Sequence, residues 1–261
     1  MPKWHFTSLL SILFTLIAGT VFAQNAPDGL NVTVNGDLFS AERIFQLIVV
    51  MTVLSLAPAI LMMVTSFTRI VVVFSFLRSA MGLQSSPPNT VLVSLALFLT
   101  AFIMAPTFEA AYQNGVVPYL NDNITEEQAF TETVAPFRKF MLANVHEADL
   151  TLFVDMLPAE EQDAINEAGE TPAARAEAAP LRALVPAFMI SELRRAFEIG
   201  FLIFLPFVVI DLVIASILMA MGMMMLPPVM ISLPFKVVFF VLIDGWRLLS
   251  SALVESFRVV G

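Results

Sequence analysis

Apolar positions run through this chain in long uninterrupted stretches, and the pattern predicts membrane-embedded helices. From Ile44 to Thr65 there are 22 residues without a charge, enough helix to cross a hydrocarbon layer of about 30 Å. Val91–Phe108 is a second run of 18 residues, and Ile199–Leu226 a third of 28 that carries only Asp211. Val229–Ile243 is shorter and holds Lys236; it continues as an amphipathic tail through Trp246, Leu248, Leu249, Leu253 and Phe257. The first apolar stretch, Phe6–Ile17, is different. It follows Lys3 and ends near Val21-Phe22-Ala23, which predicts a secretory signal over residues 1–23, cut before Gln24. A retained first transmembrane helix is the other reading.

Between the second and third runs the periodicity changes. Phe130, Val134, Phe137, Met141 and Val145 recur at helical steps, which predicts an amphipathic helix. Glu126 and Glu127 suit its N-terminus. Pro158–Pro180 is rich in Ala and Glu with few large apolar residues, and reads as a mobile or weakly packed exposed segment.

Charge gives the chain a direction. Glu109–Ala179 carries fourteen acidic residues against Arg138, Lys139 and Arg175, whereas Ser66–Thr90 has Arg69 and Arg78 and no acid. By the positive-inside rule Ser66–Thr90 faces the cytoplasm and the acidic segment faces out. The turn at Pro227-Pro228 then faces inward and the C-terminus outward, in agreement with a signal peptide. The expected architecture is an all-α integral membrane protein: two helical hairpins with Pro-containing inward turns, separated by an acidic extracytoplasmic helical segment. The expected boundaries are 1–23 for the signal, 24–43 for a short outer N-terminal segment, 44–108 for the first hairpin, 109–198 for the acidic domain and 199–261 for the second hairpin. No long internal repeat is read.

Composition sharpens the class. The 261 residues are 58% apolar and 13% charged, against about 45–50% and 25% in soluble domains. There is no cysteine and only two histidines, His5 and His146. Disulfides, thiol chemistry and thiolate metal sites are excluded, and no metal or cofactor is expected. No Gly-x-Ser-x-Gly or His-Glu-x-x-His motif occurs, so no enzyme is expected. A net charge of −9 argues against nucleic acid.

Ionisable groups in apolar helices cost at least about 2.5–3.5 kcal/mol each, so they pair or line a water path. Counting from Pro228 puts Asp211 and Asp244 each about 25 Å from the turn but Lys236 only about 12 Å away, a poor pairing within one hairpin. Arg69 lies about 24 Å from a first turn near Ser85. The expectation is that Arg69 neutralises Asp211 or Asp244, within or between subunits. Local pairing of Asp244 with Arg247 is the alternative. Pro58, Pro106 and Pro206 mark either kinked spans or discontinuous helices lining a pathway.

Five of the fifteen methionines, Met219, Met221, Met223, Met224 and Met225, fall in seven residues before Pro227-Pro228. Methionine is flexible and fills irregular gaps. The cluster is either lipid-facing or core packing, or, in a ring of subunits, a soft constriction. An ion-coupled secondary transporter using the membrane carboxylates is the alternative function, although it would usually bring visible repeats.

Several ordered blocks carry a family resemblance. They are Pro186-Ala187-Phe188-Met189-Ile190-Ser191-Glu192-Leu193 with Phe197-Glu198-Ile199-Gly200-Phe201, and Pro206-Phe207-Val208-Val209-Ile210-Asp211 with Met221–Pro228. Thr65–Arg69, Gln84–Asn89, Phe235-Lys236 and Asp244-Gly245-Trp246 join them. Together they resemble the FliP family of flagellar type III export-gate proteins and their injectisome counterparts. The resemblance implies a pore-forming core subunit in the bacterial inner membrane, with the acidic domain and C-terminus periplasmic. It implies a homo-oligomer of about five copies that joins FliQ and FliR subunits in a helical, channel-like complex, with FlhB, membrane lipids and unfolded flagellar export substrates as further partners. It puts a pore gasket on Met221, Met223, Met224 and Met225, and buried polar or assembly roles on Arg69, Glu192, Asp211, Lys236 and Asp244. It also implies that the helices pack against neighbouring subunits rather than simply crossing lipid.

Overall fold

A computed structural model describes residues 41–257 apart from Gln84, Glu170 and Met224. The expected signal peptide and most of the segment 24–43 lie outside the described residues. Every regular element among the described residues is helical: α1 Ala41–Met63, α2 Phe67–Ala80, α3 Asn89–Ala111, a π-helical turn Tyr112–Val116, and α4 Val117–Leu120. Then come α5 Glu126–Asn144, α6 Glu147–Val154, α7 Ala159–Glu167, α8 Pro172–Ala178, α9 Leu181–Ala220, α10 Pro228–Leu242 and α11 Gly245–Glu255. The chain divides into two compact units, 1–55 and 56–261. In the first, the hydroxyls of Thr52 and Ser55 donate to the carbonyls of Ile48 and Thr52 at 2.7 and 2.8 Å. An apolar helix thereby satisfies its polar side chains on its own backbone.

In the second unit α9 is the spine. Its 40 residues make a rod of about 60 Å. Leu184, Phe188, Glu192, Ala196 and Gly200 recur every fourth residue and are all buried. This stripe packs on α2, whose Ile70, Val73, Phe74 and Leu77 are buried at helical spacing. The two helices run parallel, because Arg69 meets Glu192 while Phe76 meets Phe197 and, further along, Phe204. Beyond Gly200 the buried residues of α9 are only Phe207 and Leu218. Its second half is instead covered along one side by α10.

Helix α9 continues unbroken through Pro186 and Pro206, as α3 does through Pro106. At these prolines the chain takes the continuous alternative. Helix α9 also runs without a break through position 198, where composition changes from charged to apolar. By length and composition Asn89–Leu120 and Leu181–Ala220 can each cross a membrane. The α10–α11 pair, bent by 62°, could be a third crossing. Asp244 at this bend has φ of 53°.

The acidic segment is helical. Thr125 and Gln128 form a reciprocal capping box at the start of α5, with Glu126 and Glu127 in its first turn. Its apolar stripe turns inward only from Val134; Phe130 faces out. Phe140 packs between Phe188 and Phe257 at 5.9 and 6.1 Å. Pro158–Pro180 holds two short, mostly exposed helices. Its end is anchored: Arg138 donates to the carbonyls of Glu177 and Ala179, and Ala179 is fully buried.

The two turns of this unit share a signature that a search for long repeats passes over. Ala80-Met81-Gly82 and Ala220-Met221-Gly222 are each followed by four residues and then Pro-Pro. In both, the glycine adopts positive φ, 76° and 72°. Leu83 N–H donates to the Arg78 carbonyl and Gly82 to Ser79; Met223 donates to Leu218 and Gly222 to Met219. These are paired Schellman caps, which satisfy the last carbonyls of a helix. The second proline pair then starts the next helix, with Pro228 as its first residue. A Cβ at Gly222 would touch nothing within 4 Å, so substitution there isolates the backbone term. Gly222→Ala should lower stability by about 1 kcal/mol, read as a shifted unfolding midpoint in detergent; an unchanged midpoint would mean the turn relaxes freely.

Candidate functional site

The site is built at three levels of the α2–α9–α10 bundle. At the first, Arg69 on α2 and Glu192 on α9 face each other, both side chains 0% exposed. Arg69 Nε donates to Glu192 Oε2 at 2.8 Å and Nη2 donates to Oε1 at 2.5 Å. Nη1 donates to the Ser256 carbonyl and hydroxyl, both at 3.0 Å. The guanidinium lies 3.7 Å over the Phe257 ring. The planar fork of arginine suits this double contact, and the remaining donors close on the chain end. The pair thus ties α2, α9 and the end of the α11 region into one knot.

Arg69 therefore pairs neither with Asp211 nor with Asp244, which corrects the expected pairing. The count assumed two turns at equal depth, and they are not. A second correction follows. Asp211 and Lys236, read as a poor pair, are joined at 2.6 Å. Helix α9 ends at Ala220 and α10 begins at Pro228, so residues 221–227 belong to the turn. From those helix ends Asp211 is nine residues back and Lys236 eight residues forward, about 14 and 12 Å, so they sit level. The Ser232 hydroxyl also donates to Asp211 Oδ1 at 2.5 Å.

Lys236 Nζ donates in addition to the Ala80 carbonyl at 3.3 Å. An ammonium at the C-terminus of α2 complements its dipole. This contact sets the end of α2 level with Lys236, so the α9–α10 tip extends about 12 Å past it. Asp244 lies at the α10–α11 bend and is paired locally with Arg247 at 3.9 Å, both side chains largely exposed. That local alternative holds, and such a pair contributes a few tenths of a kcal/mol (about 0.3).

The methionines occupy the tip. Met221 is 66% exposed, Met223 41% and Met225 99%; Met224 lies outside the described residues. Leu226, Val229, Met230 and Ile231 around them are exposed as well. Among the described residues the tip therefore presents flexible apolar side chains that the rest of the chain leaves largely uncovered.

The sequence reading did not anticipate a third polar contact. Asp149 on α6 takes a hydrogen bond from the Ser191 hydroxyl at 2.8 Å and an ion pair from Arg194 at 2.5 Å. Ser191 also accepts from the His146 N–H at 2.9 Å. The signal was available: Glu192 lies on the four-residue stripe of Phe188 and Ala196, and Ser191 on the adjacent one of Ala183 and Ala187, so both had to face the core. No group of acidic and histidine residues among the described residues is placed to hold a metal.

Comparison with known proteins places this geometry in a family. The family model described as FliP matches residues 50–253. The chain is 52% identical over 251 residues to the flagellar biosynthetic protein FliP of Caulobacter vibrioides, covering 96% of this chain and 89% of that protein. It is 53% identical to the protein of the same name from Rhizobium meliloti, covering 94% and 96%. With that of Bacillus subtilis it shares 45% identity, covering 87% and 98%. A match over most of the length on both sides, spanning the buried Arg69–Glu192 pair, the Asp211–Lys236 pair and the methionine tip, shows that this chain belongs to the FliP family.

Proposed function

We propose that this chain is a pore-forming core subunit of the flagellar type III protein-export gate, passing unfolded flagellar proteins across the bacterial inner membrane. Its exposed α9–α10 tip supports this reading best. Met221, Met223 and Met225 are exposed on a hairpin whose tip extends about 12 Å past the end of α2, and their thioethers can deform around a varied passing chain. In a homo-oligomer of about five copies, with FliQ, FliR and FlhB as neighbours, those residues and Met224 converge as a compliant seal. Residues 44–108 and 199–261 act as hairpins with inward turns, and the acidic domain 109–198 and the C-terminus lie in the periplasm, behind a signal peptide at 1–23. Arg69, Glu192, Asp211, Lys236 and Asp244 serve assembly rather than chemistry. The ion-coupled transporter reading rests on Asp211, which is already held by Lys236 and Ser232.

Replacing Met223, Met224 and Met225 with alanine should raise resting ion leakage several-fold while the assembled complex is retained. Conductance across membranes containing the complex reads the first, and size on native gels the second. An intact complex with unchanged leakage would overturn the seal.

A further inference from the structure

Arg195 and Glu198 are one helical turn apart on α9, yet neither makes an ion pair or hydrogen bond among the described residues. Both line a polar cavity of about 480 Å³, with Arg194, His146, Arg69 and Ser256. Arg69 and Arg194 are already neutralised by Glu192 and Asp149. One cation and one anion are therefore left over, side by side. Ile199 and Ser256 belong to this cavity and also to a second one of about 420 Å³, which is almost wholly apolar. The second cavity follows α9 along Ile199, Leu202, Ile203 and Pro206 to Phe207. That stripe stays on one face for about 12 Å. Its opposite wall is α10 and α11, including Leu249 and Leu253.

The junction of the two cavities falls where α9 changes character. Five charges, Arg182, Glu192, Arg194, Arg195 and Glu198, precede it, and no charge follows until Asp211. We infer that the paired cavities bind one phospholipid with a zwitterionic ammonium headgroup, phosphate on Arg195, ammonium on Glu198, and an acyl chain in the apolar groove. A doubly matched headgroup explains why opposite charges one turn apart remain unpaired. The apolar half runs about 12 Å along α9 between hydrocarbon side chains, and an acyl chain matches it. The site goes beyond the export role and does not depend on it.

The test uses the full chain in its native complex, extracted in mild detergent and exchanged into nanodiscs of equal phosphatidylethanolamine and phosphatidylglycerol. Native mass spectrometry counts retained lipid. Wild type should keep about one phosphatidylethanolamine per chain, and millimolar inorganic phosphate should not displace it. Arg195→Gln should lower retention about tenfold, the effect of one charge-assisted contact. Glu198→Gln should shift the retained lipid about tenfold toward phosphatidylglycerol. Ala252→Trp should expel lipid by filling the groove. Glu198 is exposed, so its substitution leaves folding intact even if Ala252→Trp does not assemble. Unchanged headgroup preference in Glu198→Gln overturns the site. So does displacement by phosphate, or a photoreactive group at Leu202 that captures polypeptide instead of lipid.

Discussion

Glu192→Leu, with Arg69 left in place, should cost about 3–5 kcal/mol, because it leaves a buried guanidinium without its carboxylate. Arg69 is fully buried between α2, α9 and the Ser256-Phe257 segment. Arg69→Met leaves a buried carboxylate and should cost a similar amount. The double variant Arg69→Met/Glu192→Leu should recover most of the loss, since an apolar pair of like volume is often neutral relative to a buried ion pair. Arg69→Lys should rescue poorly: a point ammonium cannot hold Glu192 in a fork and also reach Ser256. Chemical unfolding in detergent, with accumulation of the protein in membranes, reads the series. A single variant that unfolds like wild type would show that water enters this knot; a double variant no better than either single would show that the ions themselves are indispensable.

The second large effect is an asymmetry. Lys236 is 4% exposed and Asp211 32%. Asp211→Ala leaves the buried ammonium with only the Ala80 carbonyl and should cost about 3 kcal/mol. Lys236→Met leaves a carboxylate that is one third exposed and still bonded to Ser232, and should cost about 1–2 kcal/mol. Unfolding midpoints of the two variants give the order directly. The reverse order, or equal losses, would place Asp211 in contact with something other than Lys236 in the assembled protein.

Much of this was legible in the chain. The apolar runs gave helices, the acidic pair Glu126 and Glu127 gave the start of α5, and the charged residues inside apolar stretches were rightly expected to need partners. The partners themselves depended on depth. Counting residues from Pro228 treated the turn 221–227 as helix and shifted Asp211 by about two turns relative to Lys236. Treating both turns as level set Arg69 against the wrong acid. Glu192 was readable from its stripe with Leu184, Phe188, Ala196 and Gly200, because a residue at that spacing cannot face outward while its neighbours face in. Only distant contacts were out of reach. Ser256 and Phe257 lie 187 and 188 positions after Arg69, and no local rule links them.

The matched ends of α2 and α9 give the molecule a built-in comparator. One Ala-Met-Gly corner leads into Leu-Gln-Ser-Ser and the other into Met-Met-Met-Leu, with the same glycine cap and opposite wettability. Grafting the hydrophilic quartet onto the far corner would change its greasiness while keeping the glycine cap that ends α9. Any defect that resulted would belong to the sulfur-bearing side chains and not to the loop that displays them.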